Sequence, residues 1–348
     1  MPADALQAAV RRLAFGESLS ATESADAFGL IMSGEASVAQ VAALLMALRV
    51  KGETAEEVAG AAQAMRAAMV PIDAEEREAL VDTCGTGGGS VTTFNISTAA
   101  ALLAAGAGVR IAKHGNRSFT SRSGSADVLE ALGVPLDATP GVMGDVLRRA
   151  GVVFMFAPTL HPAMRHVGPV RRELGIPTVM NIVGPLANPA GAGRQVVGVA
   201  DRHRMPLLAG ALAALGTAHA LVVHGEPGMD EVSPLGSTHV AEVRYGVVKE
   251  WVIDPGQLGF NGIAPEDLAG GDPSTNAKII ERVLSGEGPS GAEGAVLLNA
   301  AAAIYVSGLD STMEEALARA REALESGAGR RALDRLRQAY SAAKPAEL

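Results

Sequence analysis

The stretch Asp82-Thr-Cys-Gly-Thr-Gly-Gly-Gly-Ser-Val-Thr-Thr-Phe-Asn-Ile-Ser-Thr98 carries the strongest signal for both the fold and the site. The run that ends near Cys84 predicts a strand, residues 85–89 form a loop with few side chains, and a helix is predicted to begin within 95–97. In such a unit, loop N–H groups and the first helical turn can converge on a phosphate. The glycine spacing differs from a dinucleotide fingerprint, and no Walker lysine follows. The loop therefore predicts a phosphate site, with a tight structural turn as the alternative.

From about Pro71 onward, short β-rich runs alternate with longer amphipathic stretches. This alternation predicts an α/β fold with a mostly parallel sheet flanked by helices, because parallel strands are usually joined by helical crossovers. Two later runs flank Tyr245 and Gly246 and predict a hairpin or edge strands. The predicted strands cover 80–84, 109–112, 152–156, 196–199, 220–223, 238–243 and 247–253, and the C-terminal part is predicted to be helical over 277–284, 294–306 and 313–324.

The N-terminal part, up to about residue 70, contains helix signals and no strand signals. Ser20 and Thr54 are each followed three residues later by glutamate, which is the spacing of a capping box. Gly34 and Gly52 stand where helices are predicted to end. The pattern predicts about four short helices.

One apolar set in this part has the three- and four-residue spacing of a helix face. It predicts the core of a helical bundle, and a dimer contact is the alternative. The two interpretations are compatible if different faces of the helix serve them. The set consists of Val38, Val41, Ala42, Leu45 and Leu48.

Composition excludes several classes of protein. The chain has 348 residues, 48% hydrophobic and 19% charged, which favours a folded protein of about two domains. The net charge of −9 argues against a broad nucleic-acid surface, so we expect no nucleic-acid partner. No run predicts a membrane span, and no signal peptide is predicted. Because the single cysteine, Cys84, cannot form an internal disulfide, we expect a cytoplasmic protein. Because no run predicts a membrane span, we expect no membrane partner.

A second polar loop, residues 113–127, follows the next predicted strand. It contains three cations, one amide and five hydroxyl side chains, a composition that no apolar core would contain. Its position at the end of a strand, beside the first loop, favours a second polyanion-binding loop, with a solvated loop as the alternative. A helix is predicted to begin near Ser125, with Ser123 or Ser125 as its cap.

Several longer motifs stand in order along the chain. They are Gly-Thr-Gly-Gly from Gly85, Asn-Ile-Ser-Thr from Asn95, Lys-His-Gly-Asn-Arg from Lys113, Ser-Gly-Ser-Ala-Asp over 123–127, the segments 161–175 and 181–189, and Gly-Met-Asp-Glu from Gly228. In order and spacing, over nearly the whole chain, these motifs resemble the anthranilate phosphoribosyltransferase family, within the wider group that also holds pyrimidine nucleoside phosphorylases.

The resemblance implies transfer of the phosphoribosyl group of phosphoribosyl pyrophosphate (PRPP) to the amine of anthranilate, with release of pyrophosphate, in tryptophan biosynthesis. It implies a small N-terminal helical domain, residues 1–72, joined in space by a helical segment near 162–178. A large α/β PRPP-binding domain, residues 73–348, and a homodimer through the helical domain are also implied.

The resemblance also places the substrate and metal sites on this chain. It implies Mg²⁺ as cofactor, held by Ser97, Asp230 and Glu231. It implies that the transition state is stabilised by Lys113, Asn116 and Arg171. It also implies that anthranilate is contacted by Gly85, Asn116 and Arg171. The implied PRPP-binding residues are Gly85, Gly88, Gly89, Thr93, Asn95, Ser97, Thr98, Lys113, His114, Gly115, Asn116, Arg117, Ser118, Phe119, Thr120, Ser121 and Ser125.

Each role has a chemical reason and an alternative. Magnesium prefers oxygen ligands, which suits the adjacent acidic pair at 230–231, although a solvated turn would also explain it. The guanidinium of Arg171 can pair with both oxygens of a carboxylate, whereas the alternative is a surface salt bridge. If 164–174 is helical, Met164 shares a face with Arg171, and Pro169 must start or kink the helix. Cys84 is interpreted as a buried strand residue rather than a nucleophile.

His114 and Gly89 leave two questions open. Three roles are open for His114: contact with the aromatic ring of anthranilate, acceptance of the amine's proton, or a hydrogen-bonding role. Gly89 stands where the family usually has aspartate, which removes one possible indirect magnesium contact.

The competing functions are a nucleoside phosphorylase of the same fold and a non-catalytic relative that binds nucleic acid. Filled loops and negative charge argue against the second.

Overall fold

A computed structural model describes residues 2–118 and 122–343, and its first helices begin at the polar residues that the sequence marks. Ser20 and Thr54 both form the predicted capping boxes. Ser37 forms a third with Gln40, which the sequence analysis missed. These four helices are α1 (Pro2–Ala14), α2 (Ala21–Met32), α3 (Val38–Lys51) and α4 (Ala55–Ala68).

The predicted apolar face of α3 is divided between the core and the surface. Val41, Leu45 and Leu48 are almost fully buried, whereas Val38 is 64% exposed. The core that they join extends beyond the four helices to residues such as Val170. The N-terminal helices therefore share one apolar core with a distant segment of the chain.

The strands form a single seven-stranded sheet in the order β3-β2-β1-β4-β5-β6-β7. Neighbours among the first five are parallel, and the last two form the predicted hairpin around Tyr245 and Gly246. The predicted fold class is confirmed. The strands are β1 (Val81–Gly85), β2 (Ile111–Gly115), β3 (Val152–Phe156), β4 (Arg194–Gly198), β5 (His219–Gly225), β6 (Thr238–Arg244) and β7 (Val247–Ile253).

Strand order locates the functional edge of the sheet. From β1 the chain moves outward through β2 and β3, then returns to place β4 on the other side of β1. Ligands of open α/β sheets bind beyond the carboxyl ends of the strands, where the order reverses. The loops after Gly85, Gly115 and Gly198 meet at this reversal point.

Helices cover both faces of the sheet. Val223 on β5 packs into the core that contains α5 and α13, while its neighbour Val222 packs into the core shared with the N-terminal helices. In residues 2–118 and 122–343, none of the helices combines the length and the apolar character that a membrane span requires.

The three C-terminal helices predicted from the sequence are present, and a further one, α15, was missed. The remaining α-helices are α5 (Ile96–Gly106), α6 (Ser125–Ala131), α7 (Pro140–Ala150), α8 (Ala157–Leu160), α9 (Gly168–Leu174), α10 (Met180–Val183), α11 (Met205–Ala214), α12 (Pro273–Leu284), α13 (Ser290–Ser307), α14 (Met313–Glu325) and α15 (Ala328–Ala342). Short 3-10 helices cover Arg77–Ala79, Pro162–His166, Gly184–Leu186, Arg202–Arg204 and Pro265–Leu268.

Candidate active site

The glycine-rich loop leaves β1 at Gly85 and is attached to the acidic segment 228–231. Gly87 and Gly88 have φ angles of 71° and 85°, in the left-handed region that glycine enters without strain. The N–H of Ser90 donates to the carbonyl oxygen of Gly228 at 2.9 Å. The loop is therefore held beside the acidic segment while much of its backbone is free of side chains.

The two acidic side chains face this loop and the start of α5. Asp230 Oδ2 accepts a hydrogen bond from the N–H of Gly87 at 2.8 Å, and Glu231 Oε1 accepts one from the N–H of Ser97 at 3.2 Å. A Cβ at Gly85 would lie 2.5 Å from Asp230 Oδ2, and one at Gly198 would overlap the carbonyl oxygen of Asp230. Glycine is thus required at both strand ends because the acidic segment packs directly against them.

Burial raises the pKa of the Asp230 carboxyl above its usual value. The pKa of Glu231 is raised further, because burial is reinforced by the neighbouring Asp230 charge. At Gly89, the position of the family aspartate, a Cβ would lie 3.3 Å from Asp230 Oδ1. The structure thus contains a pair of partly buried carboxylates that accept few hydrogen bonds from protein groups, an arrangement that favours a bound cation.

Lys113 lies inside this cluster and is only 4% exposed. Its ammonium donates to the carbonyl and hydroxyl oxygens of Thr83, and at 3.3 Å to the hydroxyl of Ser97. Burial lowers the pKa of Lys113, while the charges of Asp82 and Glu231 oppose that shift. Lys113 therefore joins β1, β2 and the first turn of α5 at the point where the acidic pair lies.

Asp82, which the sequence analysis did not assign, connects β1 with β2 and with the loop that contains Asn188. Its carboxylate accepts hydrogen bonds from the N–H of His114 at 3.0 Å and from Asn188 Nδ2 at 2.7 Å. Asn188 also donates to the carbonyl oxygen of Ala112 at 2.9 Å. Burial raises the pKa of Asp82 to about 6. A lone acidic residue within an apolar strand run was the available signal for this role.

Asn95, at the start of α5, is hydrogen-bonded both to the second polar loop and to α12. Its Nδ2 donates to the carbonyl oxygen of Ser123 at 3.0 Å, and its Oδ1 accepts from Asn276 Nδ2 at 2.9 Å. Asn276 has no sequence motif that would have revealed it. Thr98, one turn further on, has a buried hydroxyl without a hydrogen-bond partner among the residues described. Thr93 lies in the loop that precedes α5.

The second loop turns into α6 at Gly124, which corrects the prediction of a serine cap. Asp127 accepts a hydrogen bond from the N–H of Gly124 at 2.8 Å and one from Arg117 Nη1 at 2.7 Å. Gly124 occupies the cap because a Cβ there would lie 2.4 Å from the nitrogen of Ser118. The hydroxyl of Ser125 donates to the carbonyl oxygen of Asn116 at 3.3 Å. The predicted residues Phe119, Thr120 and Ser121 lie outside the described ranges.

The segment after β3 contributes Arg171 and a pair of histidines. Pro169 lies in the first turn of α9, as predicted, but Met164 belongs to a separate 3-10 helix. Arg171 is half-buried, and its guanidinium has no carboxylate or other acceptor within hydrogen-bond distance in residues 2–118 and 122–343. Burial lowers its pKa. A half-buried guanidinium in α9, without an acceptor among the described residues, suits an anionic ligand.

The rings of His114 and His161 lie with their centroids 5.0 Å apart. Both are buried, and Nε2 of His114 and both ring nitrogens of His161 have no partner in the described part of the chain. Burial lowers the pKa of His114 to about 3 and that of His161 to about 4, so both rings are neutral at pH 7. Sequence reasoning missed His161, although it begins a motif that was quoted.

A recess lies at the carboxyl end of the sheet, where the strand order reverses, and the candidate metal ligands line it. It is lined by Ser97, Asp230 and Glu231 together with Asn299 from α13. Cys84 also lies there, in β1, and burial raises the pKa of its thiol well above the usual value. The thiol is protonated at pH 7 and unsuited to act as a nucleophile, as predicted.

Comparison with known proteins agrees with this geometry. Family models described as the glycosyl transferase family match residues 7–69 (helical bundle domain) and 77–330 (a/b domain). The chain is 52% identical over 330 residues to the anthranilate phosphoribosyltransferase of Rubrobacter xylanophilus, covering 95% of this chain and 96% of that protein.

Two solved structures extend the likeness to three dimensions. The crystal structure of anthranilate phosphoribosyltransferase from Thermus thermophilus matches with a TM-score of 0.90 at 44% identity, covering 96% of this chain and 99% of that one. The enzyme from Saccharomyces cerevisiae, solved in complex with PRPP and Mg, matches with a TM-score of 0.86 at 30% identity, covering 97% and 98%. The chain therefore belongs to the anthranilate phosphoribosyltransferase family, and transfer of a phosphoribosyl group from PRPP to the amine of anthranilate, in tryptophan biosynthesis, is its reaction.

Proposed function

We propose that this transfer takes place where the loops after β1, β2 and β4 meet. The observation that carries the proposal is the acidic pair Asp230 and Glu231, which lies beside the glycine-rich loop. Each carboxylate accepts one N–H hydrogen bond, Asp230 from the loop and Glu231 from α5. Such a site can bind a diphosphate together with a cation. The yeast relative, solved with PRPP and Mg, supports this assignment.

In the reaction the bond between C1 of the ribose and the pyrophosphate oxygen breaks, and the electron pair leaves with pyrophosphate. The amine nitrogen of anthranilate forms the new bond to C1 from the opposite face and then releases its proton. Because charge develops on the leaving group and on the ribose, the protein contributes mainly by positioning and electrostatic stabilisation.

We assign PRPP to the two polar loops and the start of α5. The backbone of the glycine-rich loop, which carries few side chains, and the positive end of the α5 dipole suit its phosphates. Lys113 and Asn116 add stabilisation beside the breaking bond. The proposed PRPP-binding residues remain Gly85, Gly88, Gly89, Thr93, Asn95, Ser97, Thr98, Lys113, His114, Gly115, Asn116, Arg117, Ser118, Phe119, Thr120, Ser121 and Ser125.

Magnesium fits the residues present. The hydroxyl of Ser97 and the carboxylates of Asp230 and Glu231 are all oxygen donors, which Mg²⁺ prefers. In residues 2–118 and 122–343 no three His, Cys, Asp or Glu side chains surround one point, so substrate oxygens and water would complete the coordination. When bound, the ion neutralises charge that develops on the leaving pyrophosphate.

We assign the carboxylate of anthranilate to Arg171, with Gly85 and Asn116 as further contacts. A half-buried guanidinium without a protein carboxylate provides two parallel donors to a planar acid. The neutral pair His114 and His161 forms a weakly polar wall suited to an aromatic ring. Anthranilate's amine is weakly basic, so the reaction needs no dedicated general base in this arrangement.

We further propose a homodimer formed through the helical domain. Phe15, Val38 and Val50 in or beside α1 and α3 are 85%, 64% and 80% exposed, so these helices present apolar side chains that a partner subunit would cover. The domain division at 1–72 and 73–348 is likewise a proposal. The shared core that links Val170 of α9 to the N-terminal helices supports its second part, that a helical segment near 162–178 joins the first domain in space. Sedimentation of the parent and of Phe15→Lys tests the dimer.

A cytoplasmic location is proposed on the chemistry of Cys84. It is the single cysteine of the chain and has no disulfide, which suits a reducing compartment. Cell fractionation tests this placement.

The decisive experiment follows anthranilate fluorescence, which falls when the amine is phosphoribosylated. Purified protein is mixed with anthranilate, PRPP and Mg²⁺, and each component is omitted in turn. We expect the fluorescence to decay only when all three are present. Binding of PRPP without decay would retain the phosphate site and require a different acceptor.

A further inference from the structure

Asn299 is the only buried polar side chain among the described residues of α13. The helix around it is rich in alanine and packs in the apolar core between the sheet and α5. A buried amide in such a place is expensive unless its hydrogen bonds are made. The reason for its presence lies in what it contacts.

Asn299 pairs with both backbone groups of Val232, the residue that follows the acidic pair. Its Oδ1 accepts from the N–H of Val232 at 2.9 Å, and its Nδ2 donates to the carbonyl oxygen of Val232 at 2.8 Å. Nδ2 also donates to the carbonyl oxygen of Ala295 at 2.9 Å, within α13. The amide is thus fixed by its own helix and in turn fixes the backbone of Val232.

The acidic segment is enclosed on its other sides as well. Gly198 lies against the carbonyl oxygen of Asp230, and the N–H groups of Gly87 and Ser97 meet the two carboxylates. In the described part of the chain, Asn299 supplies the side-chain hydrogen bonds that reach Val232 from α13. It therefore holds, from α13, the backbone that directly follows the two carboxylates.

We propose that Asn299 is a positioning residue for the magnesium-binding pair Asp230 and Glu231, acting through the backbone of Val232. The inference rests on the proposed function, in which these carboxylates hold the ion. Residues that orient metal ligands influence affinity nearly as directly as the ligands do.

The chemistry requires an amide at this position. Aspartate could accept the N–H of Val232 but could not donate to its carbonyl oxygen, and it would place a third negative charge behind the pair. Leucine has a similar volume and would leave both backbone groups of Val232 unpaired. Asn299→Asp and Asn299→Leu therefore disturb the same segment by different means.

The test measures Mg²⁺ binding directly, by calorimetric titration into each protein saturated with PRPP and free of anthranilate. We expect Asn299→Asp and Asn299→Leu to bind Mg²⁺ about 10–100-fold more weakly than the parent. Their turnover should be restored in part by excess Mg²⁺. Ile304→Val, in the same helix and fully buried, is the matched control and should leave Mg²⁺ affinity unchanged.

Thermal unfolding separates positioning from stability. A purely structural role predicts a lowered melting temperature with parental Mg²⁺ affinity, and this result in both Asn299 variants would overturn the inference. Asp230→Asn is titrated beside them. If it binds Mg²⁺ weakly while the Asn299 variants bind normally, only the positioning role fails. Parental affinity in Asp230→Asn would overturn the metal assignment and this inference with it.

Discussion

Two carboxylate sites beside the same sheet differ in how many hydrogen bonds the protein donates to them. Glu242, on β6, accepts hydrogen bonds on both of its oxygens, from Tyr305 Oη at 2.9 Å and Trp251 Nε1 at 2.9 Å, and its Oε1 lies 2.8 Å from His219 Nε2. Asp230, at the carboxyl end of the sheet, has one hydrogen bond from another described residue, the N–H of Gly87.

The difference identifies which cluster is built for a ligand. The protein itself completes the surroundings of Glu242, and burial beside that carboxylate raises the pKa of Tyr305 to about 12, so its proton stays in place. Asp230 and Glu231 are partly buried, yet oxygens remain that a cation or a donor from outside the protein would satisfy. Burial alone therefore does not mark a functional carboxylate, whereas burial with few protein donors does.

The largest expected effect comes from removing the charge of the acidic pair. Asp230→Asn combined with Glu231→Gln should lower the Mg²⁺-dependent kcat/KM by about a hundredfold or more, because the ion loses both anionic ligands. The measurement is the initial rate as a function of Mg²⁺ concentration. Unchanged Mg²⁺ dependence would place the metal elsewhere.

Arg171→Ala should have the next largest effect. The KM for anthranilate should rise about 10–100-fold, the worth of a charge-assisted hydrogen bond, while the KM for PRPP changes little. Arg172→Ala is the matched control, since this neighbour is exposed on the same helix. Equal increases in both KM values would contradict the carboxylate-binding role.

Glu242→Gln tests the other side of the comparison. It should lower the free energy of unfolding by about 2–3 kcal/mol, because the three donors around Glu242 lose a charged acceptor. Both KM values and kcat should stay at the parental level. Urea unfolding followed by the fluorescence of Trp251, the single tryptophan, measures the change. Glu250→Gln, exposed on β7, is the control, and a fall in kcat of Glu242→Gln would link this cluster to catalysis.

The smallest expected effect concerns acid sensitivity. The pKa of His161 is lowered to about 4 in the folded protein, so protons bind the unfolded chain first as the pH falls below 6.5. Stability from this group is present above pH 6.5 and is lost as the pH falls toward about 4.

His161→Asn should therefore reduce the loss of unfolding free energy between pH 7 and pH 5 by about 1–2 kcal/mol. The buried Asp82, with its pKa raised to about 6, contributes with the opposite sign, and it cancels because both proteins contain it. Urea unfolding at the two pH values measures the difference. An identical loss in parent and variant would show that the unpaired ring at 161 is protonated as readily as it is in the unfolded chain.

The sequence by itself determined the local structure and the chemical class of the site. Capping boxes at Ser20 and Thr54, the strand–helix alternation and the hairpin at Tyr245 depend on residues a few positions apart, so periodicity and capping chemistry suffice to predict them. The glycine-rich loop indicated a phosphate site for the same reason. Motif order then supplied the family, and with it the acidic pair and Arg171.

Only the tertiary structure decided which distant groups support these residues. Asn188 is bonded to Asp82 across 106 positions, Asn276 to Asn95 across 181, and Asn299 to Val232 across 67. The residue that caps α6 was also decided by crowding. The backbone of residues 116–118 leaves room for a glycine at 124 and not for a larger residue. An asparagine has no periodic or local signature of a distant partner, because the hydrogen bond exists only once the fold has brought the two segments together.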